Sequence, residues 1–256
     1  MIIMNRIIVN NDTEIQSNVH SLLSDKIVIK EDTSIFLELL SFSKKVTVDV
    51  KENCQVDVVL LGESINFDLE IYVSENSSLI FRTLVFNGNG EVSAYLNGTN
   101  SSVQYIYSSL VDVKSNLKFS VYHNALRTSS NFIGNSYSLN DAGVIFDVNG
   151  YVKKESSGCV CLQDSKILTL NSKTSKIYPN LYIDNYDVEA SHSAYIGSFS
   201  SEELFYLMSR GISKLDSYQL LIQSFLLGKM ELCDQEKNRW IEKIGKWIGR
   251  ESQINE

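Results

Sequence analysis

Seven residues carry an imidazole or a thiol that could ligate a metal or act as a nucleophile: His20, His123, His192, Cys54, Cys159, Cys161 and Cys233. Their spacing suits few reactions. No H-x-x-x-H, H-E-x-x-H or paired His–Cys spacing occurs, so a preformed zinc site has no support. Cys159 and Cys161 form a C-x-C, a weak zinc signature. Residues two apart on a strand face the same side, so the plainer reading is two small buried hydrophobes. An iron or sulfur role is the sharper alternative. Cys54 falls in a turn with nothing nearby to depress its pKa, and Cys233 reads as incidental in a helical tail. Glu31, Glu52 and Glu75 share one position of a repeat, where solvated turn acids explain them better than catalytic pairs. Neither G-x-S-x-G nor G-x-x-x-x-G-K-[ST] is present, which removes a nucleophile elbow and a phosphate loop.

The elements that must position these residues are strands for the first two-thirds of the chain. Lys45-Val46-Thr47-Val48-Asp49-Val50 and Val56-Asp57-Val58-Val59 alternate apolar and polar, which puts one face inside and one in water. The turns between them repeat. Ile29 to Ile35, Val50 to Val56 and Val73 to Leu79 are similar, and Leu96 to Ser101 is a looser copy. Their key positions 31, 52, 75 and 98 are 21, 23 and 23 residues apart. A further turn from Leu139 to Ala142 falls 42 residues after position 98, two more periods. Units of fixed period with strand content predict the stacked coils of a parallel β-helix rather than an antiparallel sandwich, whose hairpins need more Asn-Gly and Asp-Gly turns.

Near residue 200 the pattern becomes helical. Ser200-Ser201-Glu202-Glu203 reads as a capping box, followed by Leu204, Phe205, Leu207 and Met208 on one face and a stop at Gly211. Ser213 and Asp216 start a second helix carrying Leu220, Leu221, Phe225 and Leu226. A third carries Trp240, Ile241, Ile244, Trp247 and Ile248 as one apolar stripe, read as packing ahead of a partner surface. The expected division is a β-helix core over 1–199 and a helical segment over 200–256.

Composition narrows the function classes. Apolar residues at 43% and charged residues at 21% exclude wholesale disorder. One proline excludes Pro-rich linkers, and no apolar run approaches the roughly 20 residues of a membrane span. A net charge of −8 opposes broad nucleic-acid binding. The first residues lack the charged and apolar regions of a signal peptide, so a cytosolic protein with reduced thiols is expected.

From Tyr178 to Phe225 the residues resemble a known family. The matching elements are P-x-L-x-I (Pro179, Leu181, Ile183), D-V-x-x-S-H (Asp187, Val188, Ser191, His192), L-F-Y-L-x-S-R-G (Leu204 to Gly211) and the apolar helix closing with Phe225. Upstream, His123-Asn124, Val144-Ile145-Phe146 and Gln163 to Leu168 follow more loosely. This is similar to the SufB/SufD family of iron–sulfur cluster assembly proteins, over roughly residues 100 to 230. The resemblance implies a right-handed parallel β-helix followed by helices that dock a SufC-type ABC ATPase, which would explain the missing phosphate loop. Family members pair through their β-helix cores, where the nascent cluster is thought to form. SufB carries a cysteine where Gln163 stands here and a glutamate where Ser193 stands, so the resemblance points to SufD.

The resulting expectation is a non-catalytic, cytoplasmic scaffold subunit with no tightly bound cofactor. It would handle transient iron or a nascent cluster at an interface with a SufB-like subunit or itself, and would bind no nucleic acid or membrane. The resemblance makes His192 the metal-contacting residue and places ATPase docking at Phe205, Tyr206, Arg210 and Gly211. The alternatives are a SufB-like self-pairing scaffold using Cys159 or Cys161, and a β-helix carbohydrate-active enzyme.

Overall fold

A strand that alternates apolar and polar side chains can bury one face only if a second sheet closes over it. In the computed structural model the chain does this by coiling. The structure describes residues 4–9, 15–16, 20–23, 26–39, 45–139, 142–169 and 174–252. Its strands are β1 (Met4–Val9), β2 (Ile15–Gln16), β3 (His20–Leu23), β4 (Lys26–Ile29), β5 (Thr33–Leu39) and β6 (Lys45–Val50). There follow β7 (Gln55–Glu63), β8 (Phe67–Val73), β9 (Ser78–Phe86), β10 (Gly90–Leu96), β11 (Ser102–Val111) and β12 (Ser115–His123). The last are β13 (Ser129–Ser138), β14 (Val144–Val152), β15 (Cys159–Thr169), β16 (Lys176–Ile183) and β17 (Val188–Gly197). Three helices end the chain: α1 (Ser201–Ser209), α2 (Lys214–Leu227) and α3 (Asp234–Ser252).

From β4 onward each coil gives one strand to each of two sheets. One runs β1-β5-β7-β9-β11-β13-β15-β17, and the other β16-β14-β12-β10-β8-β6-β4-β3-β2. Neighbours pair in parallel except at β2–β3 and β3–β4, which are antiparallel. This is the predicted β-solenoid with a helical tail. Its lumen is filled by register columns such as Val48, Ile71, Ala94 and Val121 from one sheet. Val58, Phe81, Tyr105 and Phe132 face them from the other.

The corners explain the repeat and correct its period. Asn53, Asn76, Asn100, Arg127 and Gly158 all adopt positive φ, and each N–H bonds to a carbonyl of the next coil's corner. Asparagine tolerates this left-handed conformation, and glycine adopts it freely. These corners are 23, 24, 27 and 31 residues apart, so the coil lengthens along the axis instead of keeping one period. The fourth copy turns at Thr99–Asn100, one residue later than expected, and later corners fall at Arg127 and Gly158. The expected Leu139–Ala142 turn involves Asn140 and Asp141, which lie outside the described residues. Added residues lengthen strands and loops, and neither disturbs the inward columns that fix register.

Those corners also reassign Cys54. The residue after each left-handed position points inward, giving the buried column Cys54, Ser77, Ser101, Thr128, Cys159. Thr33, at the first corner, does not join this column: it pairs with Val56, because that corner is two residues shorter.

Outside, the two sheets differ. Val59, Leu61, Leu84, Phe86, Ile106, Leu110 and Ile133 make one outer face apolar, and α2 and α3 cover it with Ile222, Leu226, Trp240 and Ile244. The stripe of α3 is therefore packing, as its sequence suggests. Two ion pairs clamp this cover, buried Arg82 of β9 to Glu231 at 2.6 Å and Lys243 of α3 to Glu63 of β7; Arg82 also pairs with Asp57 of the neighbouring strand β7. The opposite sheet carries an open stack of tyrosines, Tyr72, Tyr95, Tyr122, Tyr151 and Tyr182, with ring centroids 4.7–4.9 Å apart. Such cross-strand aromatic pairs stabilise a sheet by about 0.2–1 kcal/mol each.

Candidate functional site at the last coil

β16 and β17 are the final strands of their sheets, and no described strand pairs with their outer edges. Among the described residues no strand caps the lumen there. Ile177, Leu181, Ile183, Val188 and Ala190 pack on the core from this coil yet stay only partly buried. Tyr178, Tyr182, Tyr195 and Ile196 are exposed beside them.

His192 lies in the middle of β17, in register with Gln163 of β15. That register extends the inward column Val58, Phe81, Tyr105, Phe132, Gln163 by one more step. His192 thus occupies a core position of the repeat and is exposed where no described coil follows. An imidazole there combines access to a partner with the fixed backbone of a sheet.

Directly beneath, Gln163 is 4% exposed and spans the lumen, its Nε2 donating to the carbonyl of Asn180 on β16 at 3.1 Å. Its Oε1 has no hydrogen-bond partner, and neither has the buried Oγ of Ser165. Deeper still, His123 is fully buried between Thr128 Oγ1 at 2.7 Å and Ser130 Oγ at 2.9 Å. Burial pushes its pKa down to about 4, so the ring is neutral. Cys159 contacts Thr128 at 3.1 Å, and both Cys159 and Cys161 are buried in the lumen. Burial raises the Cys161 thiol pKa, and burial with Asp32 and Glu31 raises that of Cys54. Such thiols are poor nucleophiles and ligands. Cys159 and Cys161 are core residues, as the plainer reading holds; Cys54, read from the sequence as a turn residue, is buried in the core as well, and Cys233 is exposed.

Among the described residues no three His, Cys, Asp or Glu side chains converge as a metal cage. His192 and His123 belong to different strands of the stack, and the side chain of His20 is outside the described residues. Glu31, Glu52 and Glu75 are exposed corner residues, as their repeat position suggests.

The four expected docking residues lie together at the end of α1. Ser200 caps that helix, accepting from the Glu202 and Glu203 N–H groups while Glu203 reaches back to the Ser200 N–H. No residue of α1 is buried; Phe205 is 73% exposed. The Arg210 guanidinium stands 5.3 Å from the Tyr206 ring centroid, and Gly211 ends the turn at φ +83°. An exposed aromatic and a cation stacked on a second ring suit a partner surface.

Comparison with known proteins decides the family. The family model described as "SUF system FeS cluster assembly, SufBD core domain" matches residues 41–225, well over half of the chain. The chain belongs to the SufBD core family. It is similar to the iron–sulfur cluster assembly protein SufD of Bacillus subtilis, 29% identical over 133 residues, which are 52% of this chain and 30% of that protein. It is also similar to an iron–sulfur cluster assembly SufBD family protein of Staphylococcus haemolyticus, 31% identical over 105 residues, 41% of this chain and 23% of the relative. The matches therefore span less than a third of these relatives' own lengths.

The SufBD core match runs from before β6 into α2 and contains His192 and all four α1 residues; α3 lies beyond it. No described helix is long and apolar enough to cross a membrane. Sequence reasoning missed the lumenal network of this SufBD core, His123 with Thr128 and Ser130, because its members are five and seven residues apart across a corner. The Thr128 position, one residue after a left-handed corner, is the signal that could have found it.

Proposed function

We propose that this SufBD-family protein is a non-catalytic, SufD-like scaffold subunit that pairs at its last coil with a SufB-like subunit in the cytoplasm. In this reading His192 contacts transient iron or a nascent cluster, and the end of α1 docks a SufC-type ABC ATPase. One observation carries it: an imidazole in a core register position, exposed at an end where no described strand pairs with the two edge strands. Unpaired edges and partly buried Leu181, Val188 and Ala190 need a cover in a soluble assembly. A neutral imidazole suits ferrous iron, and a partner side chain can complete a shared site. Iron and cluster are cargo here, not resident cofactors.

The SufB-like self-pairing alternative using Cys159 or Cys161 lacks this support, because both thiols are buried inside the lumen. The carbohydrate-active alternative is set aside with the family assignment.

The test is cluster formation on the copurified complex. His192→Ala should leave the fold intact and cut cluster yield at least severalfold, read from iron and sulfide content. Full yield removes His192 from the cluster-handling role. Independently, Arg210→Glu should weaken ATPase copurification about tenfold, since it reverses a charge stacked on Tyr206 at an exposed site. Unchanged binding would place the ATPase dock elsewhere.

A further inference from the structure

Gln163 carries the most informative unsatisfied group in the molecule. A buried carbonyl oxygen without a hydrogen bond is costly, and this one is held in place rather than merely stranded. The Gln163 side chain is pinned by Nε2 on the Asn180 carbonyl. Gly150, on the facing sheet, lies beside it: a Cβ there would be in ordinary contact with Gln163 Nε2 at 3.4 Å and would crowd Cys161 Sγ at 2.5 Å. The next side chain in the same inward column is His192, one strand spacing away, about 4.8 Å. An amide oxygen needing a donor and an imidazole with an N–H to give are stacked at the open end.

We infer that Gln163 is the positioning residue for His192: its Oε1, which has no partner in this structure, accepts from one ring nitrogen once the imidazole turns onto it, and this fixes the tautomer. The other nitrogen is then a lone-pair donor directed out of the lumen. Imidazole ligands commonly have their second nitrogen held in this way, and losing the holding group costs about 10–100-fold in metal affinity. Ser165, the other unpartnered buried group on β15, faces Ala194 in register and so has no imidazole to orient. The inference rests on the reading of His192 as the metal-facing residue, but its first measurement needs neither metal nor partner.

That measurement is the ¹⁵N chemical-shift pattern of His192 in the full chain near neutral pH. The wild-type protein should show one dominant tautomer. Gln163→Met, close to glutamine in length and without an acceptor, should give the two-tautomer mixture of an unrestrained ring. Gln163→Glu, which keeps an acceptor oxygen, should restore the single tautomer, and Ser165→Ala should not change it. A mixture already present in the wild type, or a single tautomer surviving in Gln163→Met, overturns the positioning role whatever His192 binds. The second arm uses Co²⁺ as the probe, titrated into the same proteins. Gln163→Met should weaken binding at least tenfold against wild type, with His192→Ala as the baseline. Equal affinity for wild type and Gln163→Met overturns the functional part. Loss of the single tautomer in Gln163→Met with no Co²⁺ binding to the wild type would instead refute the metal-facing reading and leave the positioning role standing.

Discussion

Trp240→Ala should destabilise the protein by about 3–5 kcal/mol, the range of buried aromatic-to-alanine changes. The indole is 2% exposed and is the largest fully buried side chain in the molecule. It meets Phe86 of β9 edge-on at 4.8 Å, and the Lys243 ammonium lies 4.7 Å over its ring. Truncation would leave a void between α3 and a sheet whose neighbouring coils cannot move inward without breaking register. Trp240→Phe is the informative companion. It keeps an aromatic edge for Phe86 and removes an indole N–H that has no partner, so its cost should stay below about 2 kcal/mol. The urea midpoint at constant m-value reads both effects. A Trp240→Ala midpoint close to wild type would mean that the helical cover contributes little to the stability of the solenoid.

The second large effect is on acid stability. His123 is fully buried and neutral, with its pKa pushed down to about 4, against about 6.5 when the chain is unfolded. Below pH 6.5 the unfolded chain takes up a proton that the folded one refuses. Stability is therefore flat above that pH, falls as the pH drops, and levels off only below about 4. The window corresponds to roughly 3 kcal/mol for this one group. Carboxylates add their own acid dependence: Asp49, held below its ordinary range by Lys51 and Lys26 against the opposing effect of burial, is one. The wild-type profile must be compared with that of His123→Gln, which retains polar groups for Thr128 and Ser130 but does not titrate. The difference between the two curves should appear between pH 6.5 and 4. Parallel profiles would show that His123 is protonated inside the fold.

The solenoid was legible because its signals are local and repeated. Alternation in Lys45 to Val50 and the polar corners after it required no long-range information, and the two serine caps of α1 and α2 stand where their sequences put them. The period was less legible. A fixed spacing assumes coils of equal circumference, whereas register in the lumen fixes only which residues point inward. The corner from Gly98 shows the difference. A Cβ on Gly98 would lie 2.0 Å from the Glu75 nitrogen, so the glycine marks close approach between coils, not the left-handed corner residue, which is Asn100. The candidate site was half legible. The motif around Ser191 and His192 singled out one histidine, but its place in the lumenal column above Gln163 depends on strand pairing, which one sequence does not display. The tyrosine stack was hidden for the same reason: its members are 23, 27, 29 and 31 residues apart.

That stack has an optical consequence. Both tryptophans of the protein, Trp240 and Trp247, belong to α3, whereas the five stacked tyrosines all belong to the solenoid. The rings are nearly parallel, inclined by 5–12°, so their transitions couple along the coil axis and yield a near-ultraviolet dichroism that disappears when the coils separate. Indole emission reports on the helical cover instead. The molecule thus carries two built-in chromophore sets, one for each of its structural parts, and lifting of the helices can be told from unwinding of the coils without attaching a label.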